Sequence, residues 1–325
     1  MPARDLTIAA TDGFALSARV FGESAAARGA ILVNPATGVR KGYYRPFAEF
    51  LASRGWRVVT FDNRGVGGSR PESLRGFEAR MQDWAERDSE GVLRWMVDEA
   101  AVPAHAGGTR APLCLVGHSF GGQALGLIPA ARRLDAALLV ATQNGYWGHW
   151  PRLQRPRVLA LWFVIIPLVT AVLGYFPARL LGLGEDLPAG VARQWARWGR
   201  HHEYLMRDRI PSWRAGYETL ELPIRGLSFT DDIYAPRRSM AAILALYSRA
   251  RVEHRHLAPR DLGLASVGHF GFFRERHREA LWEPAAEWLE SHRVSSSEAI
   301  PSREVPKGAP GKGKEDVMTI PRLPR

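Results

Sequence analysis

A chain of 325 residues with 46% hydrophobic and 24% charged side chains can bury a full-sized core, which excludes a wholly disordered, collagen-like or coiled-coil protein. Its single cysteine excludes a disulfide scaffold and any cysteine-based zinc site. Of the formal charge of +11, +3 lies beyond His292, and no Lys/Arg run exceeds two residues, so the charge reads as a basic solvated surface and no nucleic-acid partner is expected.

The N-terminal segment is interrupted by Asp5 and Asp12 and holds no unbroken apolar core, so the chain is expected to be cytoplasmic. Residues 5–22 predict two strands joined by a turn at Thr11-Asp12-Gly13. A strand-then-helix rhythm follows. Short apolar runs at 30–33 and 57–61 alternate with helical periodicity over 43–54 and 81–100. The alternation continues through a strand at 113–116, a helix over 120–133 and a strand at 136–140. After a break it resumes with a strand at 224–229, a helix over 237–249, a strand at 252–257 and a helix over 274–291. This is the pattern of a doubly wound, mostly parallel α/β sheet. The break, residues 143–222, holds six of the eleven tryptophans and reads as an inserted helical cap on a core of 1–142 plus 223–292. Residues 293–325 are rich in Ser, Pro, Gly, Lys and Glu, a composition that predicts a disordered tail.

Chemistry concentrates in Gly117-His118-Ser119-Phe120-Gly121, where an apolar strand runs straight into a helix. That context makes the G-x-S-x-G pattern a nucleophile elbow. The turn must be too tight for side chains at 117 and 121, leaving Ser119 Oγ above the sheet at a helix N-terminus. A serine hydroxyl needs a base to take its proton, and the base needs a carboxylate to orient it. Asp231 and Asp232 follow the strand at 224–229, and His269 lies in the loop before the last helix, both at carboxyl ends of strands where open α/β sheets bind ligands. Among the other histidines, His118 is read as supporting the elbow, His201-His202 as surface, and His254 with His256 as one half-exposed strand face. Gly65-Val-Gly-Gly-Ser-Arg70 lacks the third glycine of a dinucleotide loop and no phosphate-loop pattern occurs, so no nucleotide cofactor and no metal are expected. Asp62 and Arg64 read as ties within their loop.

The chain resembles the α/β-hydrolase superfamily, and especially a bacterial group of predicted hydrolases with a serine-aminopeptidase-like core. The matching residues are Asn34-Pro-Ala-Thr-Gly-Val, Asp62-Asn-Arg-Gly-Val-Gly-Gly-Ser, Gly117-His-Ser-Phe-Gly-Gly, Ser228-Phe-Thr-Asp-Asp-Ile-Tyr-Ala-Pro and Gly268-His-Phe-Gly-Phe-Phe, which together anchor about residues 5–292. The resemblance implies Ser119 as nucleophile, His269 as base and then acid, and Asp232 as its orienter because Pro236 follows it by four, with Asp231 the alternative. Asn34-Pro35 replaces the His-Gly common in the superfamily. The oxyanion hole is therefore expected from the N–H of Phe120 and that of Ala36 or Thr37, with Ala36 preferred, since Pro35 has no N–H.

Residues 158–178 carry no charge and are long enough to span a bilayer. A span there would put Ser119 and His269 on opposite sides, and Pro167 and Gly174 suggest two broken helices. The stretch is read as cap material walling an acyl pocket, with peripheral membrane contact as the alternative. The expected function is hydrolysis of a small-molecule carboxylic ester with a lipophilic acyl group through an acyl-enzyme. The alternatives are an acyltransferase or amide hydrolase on the same triad, or a non-catalytic binding protein on the same scaffold.

Overall fold

The computed structural model describes residues 3–23, 27–98, 111–182 and 184–292; the tail expected over 293–325 lies outside the described residues. β1 (Ala3–Ala9) and β2 (Ala15–Phe21) are followed by β3 (Ala30–Asn34), β4 (Arg57–Phe61), β5 (Leu113–His118) and β6 (Ala136–Val140). Two-residue strands β7 (Tyr175–Phe176) and β8 (Leu187–Pro188) form a separate antiparallel pair. β9 (Pro223–Phe229) and β10 (Arg251–Leu257) complete the main sheet, whose order is β1-β2-β4-β3-β5-β6-β9-β10. From β4 onward every neighbouring pair is parallel, whereas β1 and β2 run antiparallel at one edge.

β3, β5 and β6 are buried along their whole length. Strands covered on both faces read as continuous apolar runs, which is why their sequences do not alternate. Their side chains still point to opposite faces. Leu32, Val59, Leu115 and Leu139 enter one apolar layer, and Ile31, Val33, Val58, Val116 and Leu138 the other. α1 (Arg45–Ser53), begun by Pro46 in its first turn, covers the second layer with Phe47 and Leu51. α2, the continuous helix 81–98, covers the first with Trp84, Val92 and Met96.

Three expected helices come out differently. The helix expected over 120–133 keeps α geometry only in α3 (Phe120–Gln123) and then tightens into two 3-10 turns separated by extended Ile128. Pro129 drives the residue before it out of the helical region, and the Tyr217 ring packs flat against Gly126, where a Cβ would lie 2.4 Å from it. The stretch 158–178 does not break into two helices. α4 (Arg155–Leu173) is continuous, because a π-helical turn over Leu161–Ile165 precedes Pro167 and shifts the hydrogen-bond ladder where the proline lacks its N–H. The last expected helix, 274–291, is α-helical only over α8 (Glu283–Ser291), after a 3-10 and a π turn.

Between β6 and β9 the chain also forms α5 (Ala189–Gly199) and α6 (Pro211–Glu218), and α7 (Arg237–Leu244) follows β9. Trp198, Trp213, Tyr204 and Tyr217 from this insertion are buried in the same apolar layer as Leu115 and Leu139. The insertion thus shares the core instead of resting on it. Strand order reverses at β3, which has β4 on one side and β5 on the other. The loops leaving β3 and β5 border the resulting crevice, where α/β sheets take their ligands.

Candidate active site

Ser119 sits at the end of β5 with φ 52° and ψ −115°, a strained backbone for a residue with a side chain. Close packing enforces it. A Cβ on Gly121 would lie 2.0 Å from the Asn34 carbonyl oxygen, and one on Gly117 would lie 2.6 Å from Gly122 Cα. Asn34 Nδ2 donates to the Gly121 carbonyl (2.8 Å), and Ser89 Oγ donates to Asn34 Oδ1 (2.9 Å). Asn34 thus ties the β3 loop to the elbow. Phe120 is the first residue of α3, so its N–H is one of the donors that helix geometry leaves without an intrahelical acceptor.

Of the two aspartates, Asp232 meets the histidine. His269 Nδ1 donates to Asp232 Oδ2 at 2.9 Å with both side chains buried, and Asp232 Oδ1 accepts the N–H groups of Tyr234 (2.8 Å) and Ala235 (2.9 Å). Three donors fix the carboxylate, and the Nδ1–H bond selects the tautomer whose Nε2 is the accepting nitrogen of the ring. Asp231 has a different task. It accepts the N–H groups of Val267 (2.9 Å) and Gly268 (3.0 Å), holding the loop that carries His269.

The Ser119 hydroxyl donates to Gln143 Oε1 at 3.1 Å instead of to His269. Nothing in the sequence singles out Gln143, although it lies three residues past the end of β6, the one strand end near the elbow left without a candidate. Ala141, two residues before it, has φ 49°, a left-handed turn that swings the following chain back over Ser119.

His118 is fully buried between two loops. Its Nε2–H donates to the His269 carbonyl (3.0 Å), Tyr44 Oη–H donates to its Nδ1 (3.0 Å), and the Ala36 N–H donates to Tyr44 Oη (2.8 Å). Burial, reinforced by nearby His269, holds the imidazole well below its ordinary pKa, so it is neutral. The N–H of Ala36, the donor preferred for the oxyanion hole, is thus given to Tyr44 Oη. Ala36 and Thr37, next to each other in this loop, both line the cavity.

Ser119, His269 and Gln143 open into a cavity of about 360 Å³. Trp150, Val158, Leu161, Trp162 and Trp195 from the insertion wall it on one side, Ile233, Tyr234 and Phe270 on the other. Trp150 Nε1 donates to the Ile233 carbonyl (2.8 Å), fastening the insertion to the loop that carries Asp232. Aliphatic and aromatic walls around a few polar atoms suit an apolar organic ligand.

The remaining polar clusters lie elsewhere. Asp62 accepts the Lys41 and Gly68 N–H groups and pairs with Lys41 Nζ, and Arg64 bridges Asp12 and buried Asp88. Burial raises the Asp88 carboxyl to about 7 against the pull of Arg64. His254 and His256 share the Ser228 hydroxyl at 2.8 Å each. The ligand atoms of His201, His202 and Glu203 lie within 4.8 Å of one another; the three are consecutive and His202 is exposed, an arrangement common without a metal.

Residues 30–283 match the model of the "Alpha/beta hydrolase family". No curated protein matches the sequence. Among solved structures, the chain is similar to an esterase from Exiguobacterium antarcticum (15% identity, 88% of this chain and 100% of that one, TM-score 0.57). It is also similar to the esterase Pf2001 from Pyrococcus furiosus (14%, 89% and 92%, TM-score 0.53) and to a thermophilic esterase from Thermogutta terrifontis (17%, 90% and 100%, TM-score 0.53). At such identities the likeness is one of fold, and the family match covers most of the sheet and the whole insertion: the chain belongs to the alpha/beta hydrolase family.

Proposed function

We propose that the protein is a serine hydrolase that cleaves a carboxylic ester bearing a lipophilic acyl group. The observation that carries this reading is the buried His269–Asp232 pair opening, together with Ser119, into one apolar cavity. In the reaction, the Ser119 proton leaves Gln143 Oε1 for His269 Nε2 as Oγ attacks the ester carbonyl. The Phe120 N–H and the Thr37 N–H stabilise the oxyanion. Asp232 steadies the imidazolium, which then protonates the departing alkoxide, so that an acyl-Ser119 ester and an alcohol result. Water, deprotonated by His269, releases the acid and restores the hydroxyl. Residues 143–222 act as a cap, with Trp150, Val158, Leu161 and Trp162 holding the acyl chain.

Gln143 gives the resting hydroxyl an acceptor that competes with the base. Rotating its amide would present Nε2 as a donor to Oγ and free the hydroxyl proton for His269, so substrate contact with Gln143 is a means of arming the nucleophile.

Hydrolysis of p-nitrophenyl esters of increasing acyl length tests the proposal. The parent should prefer medium over acetyl chains, and Ser119→Ala should lower kcat/KM by at least about 10³-fold. Equal rates in Ser119→Ala and parent would refute it.

A further inference from the structure

Helix α4 is long and apolar enough to cross a membrane, yet only 17% of its most apolar stretch is buried. Its two sides differ. Trp162, Ile166 and Thr170 recur at four-residue spacing and are 3%, 0% and 0% exposed. Val164, Leu168 and Val172 recur at the same spacing two residues on, about 200° around the helix, and are 57%, 61% and 69% exposed. The inner side is held by polar bonds: Trp162 Nε1 to the Gly145 carbonyl (3.2 Å), Arg193 to Thr170 Oγ1 (2.9 Å) and Arg200 to the Trp162 carbonyl (2.8 Å). Ser119, before the helix, and His269, after it, line the same cavity, so the chain on both sides of the helix stays on one side of any bilayer. A helix lying flat in an interface needs only its free side apolar.

The charge around it identifies what it meets. Between Trp150 and Leu181 the chain has four arginines and no Asp, Glu or Lys. Arg179 is matched by Glu185 at 2.6 Å. Arg152, Arg155 and Arg157 stand at the N-terminal end of α4, where the helix dipole favours negative charge. Arg155 donates to the Trp150 and Gly148 carbonyls and lies over the Trp147 ring, 5.8 Å from its centroid, so it faces its own protein. Arg157 borders the catalytic cavity, so exposed Arg152, in a stretch without acidic residues and beside an exposed apolar stripe, is the cation that complements an anionic interface. The same helix carries Val158, Leu161 and Trp162 into the cavity, so what docks against its outer side lies next to the wall of the pocket.

We propose that α4 is a docking surface for an anionic lipid bilayer, with the helix lying in the plane of the headgroups and Val164, Leu168 and Val172 inserted. The proposal goes beyond the hydrolase reading and stands or falls without it, because its test reads binding and not turnover.

The experiment is co-flotation of the full chain with vesicles of phosphatidylcholine containing roughly a quarter phosphatidylserine. The variants are Val164→Glu/Leu168→Glu/Val172→Glu and, separately, Arg152→Glu. Sedimentation velocity and thermal melts accompany each sample. The parent should float with anionic vesicles, several-fold less with pure phosphatidylcholine or on raising NaCl from about 0.1 to about 0.5 M. The triple variant should bind at least about tenfold more weakly while melting like the parent, and Arg152→Glu should weaken binding severalfold. A parent that never floats overturns the proposal, as does a triple variant that floats equally well. So does a stable parent dimer that the triple variant dissociates, since a second copy would then cover the face.

Discussion

β5 and α4 both carry a run of apolar residues past the cavity, and they use it in opposite ways. In β5, Leu113 to Val116 are at most 5% exposed and have partners on both faces of the sheet. In α4, the stripe from Val164 to Val172 stands in solvent while the opposite stripe is sealed against α5 and the loop after β6. Composition alone does not separate the two segments. What separates them is whether the structure supplies a partner: β5 is central in an eight-stranded sheet, whereas nothing among the described residues covers the outside of α4. An apolar side chain in the sheet therefore measures stability, and one on the outer face of α4 measures affinity for something outside the chain.

The largest effect should come from exchanging an apolar residue for a carboxylate at the centre of this contrast. Val116→Glu buries a charge with no partner, a cost on the order of the whole folding free energy of about 5–15 kcal/mol, and should yield insoluble protein or a collapsed thermal transition. Soluble Val116→Glu with a parental melt would break the comparison.

Next come the two adjacent aspartates, whose roles the geometry separates. Asp232→Asn should lower kcat by about 10³- to 10⁴-fold with the fold intact, because the imidazole loses its orienting charge. Asp231→Ala should cost about 1–2 kcal/mol in urea titrations through two orphaned N–H groups, with kcat falling less than about tenfold. Reversed magnitudes would reassign the carboxylate.

Smaller still is a pH effect at His118. Its folded pKa is depressed by burial, so below the ordinary histidine value the unfolded chain takes up a proton that the folded chain refuses. Stability should fall as pH drops through about 7 to 5.5, by up to about 1.4 kcal/mol per pH unit for this one site. His149, His254, His256 and His292 are depressed in the same direction and steepen the same slope. His118→Gln should flatten the curve by one proton's worth, measured by chemical denaturation across that range; an unchanged slope would show that His118 is not buried neutral. The smallest effect is expected on the outer face of α4, where Val164→Glu should alter stability by no more than about 0.5 kcal/mol.

Much of the architecture was legible because it rests on local rules. Unbroken apolar runs marked β3, β5 and β6, and the glycines at 117 and 121 marked a turn whose neighbours leave no room for a Cβ. Ser119 and His269 were readable as an elbow and a loop histidine at strand ends. Other features depend on contacts between distant segments. No periodicity announces that Tyr217 will pack on Gly126 and end a helix early, or that a π turn will let α4 run through Pro167. Asp231 and Asp232 have equal chemistry as adjacent residues, and only the family resemblance, through Pro236, favoured Asp232; in the structure the loop at 267–269 presents its N–H groups to Asp231 and its imidazole to Asp232. Nor does any local pattern announce that Tyr44, eight residues on, reaches back to the Ala36 N–H. Gln143 was missed because a glutamine after a strand has no motif, only a position.

The central claim is an activated Ser119, and covalent labelling with a fluorophosphonate, read by intact mass, tests it most directly. Folded parent should gain one adduct, Ser119→Ala none, and His269→Ala an adduct only at a greatly reduced rate. An unlabelled but folded parent, or an adduct that persists in Ser119→Ala, would contradict the account.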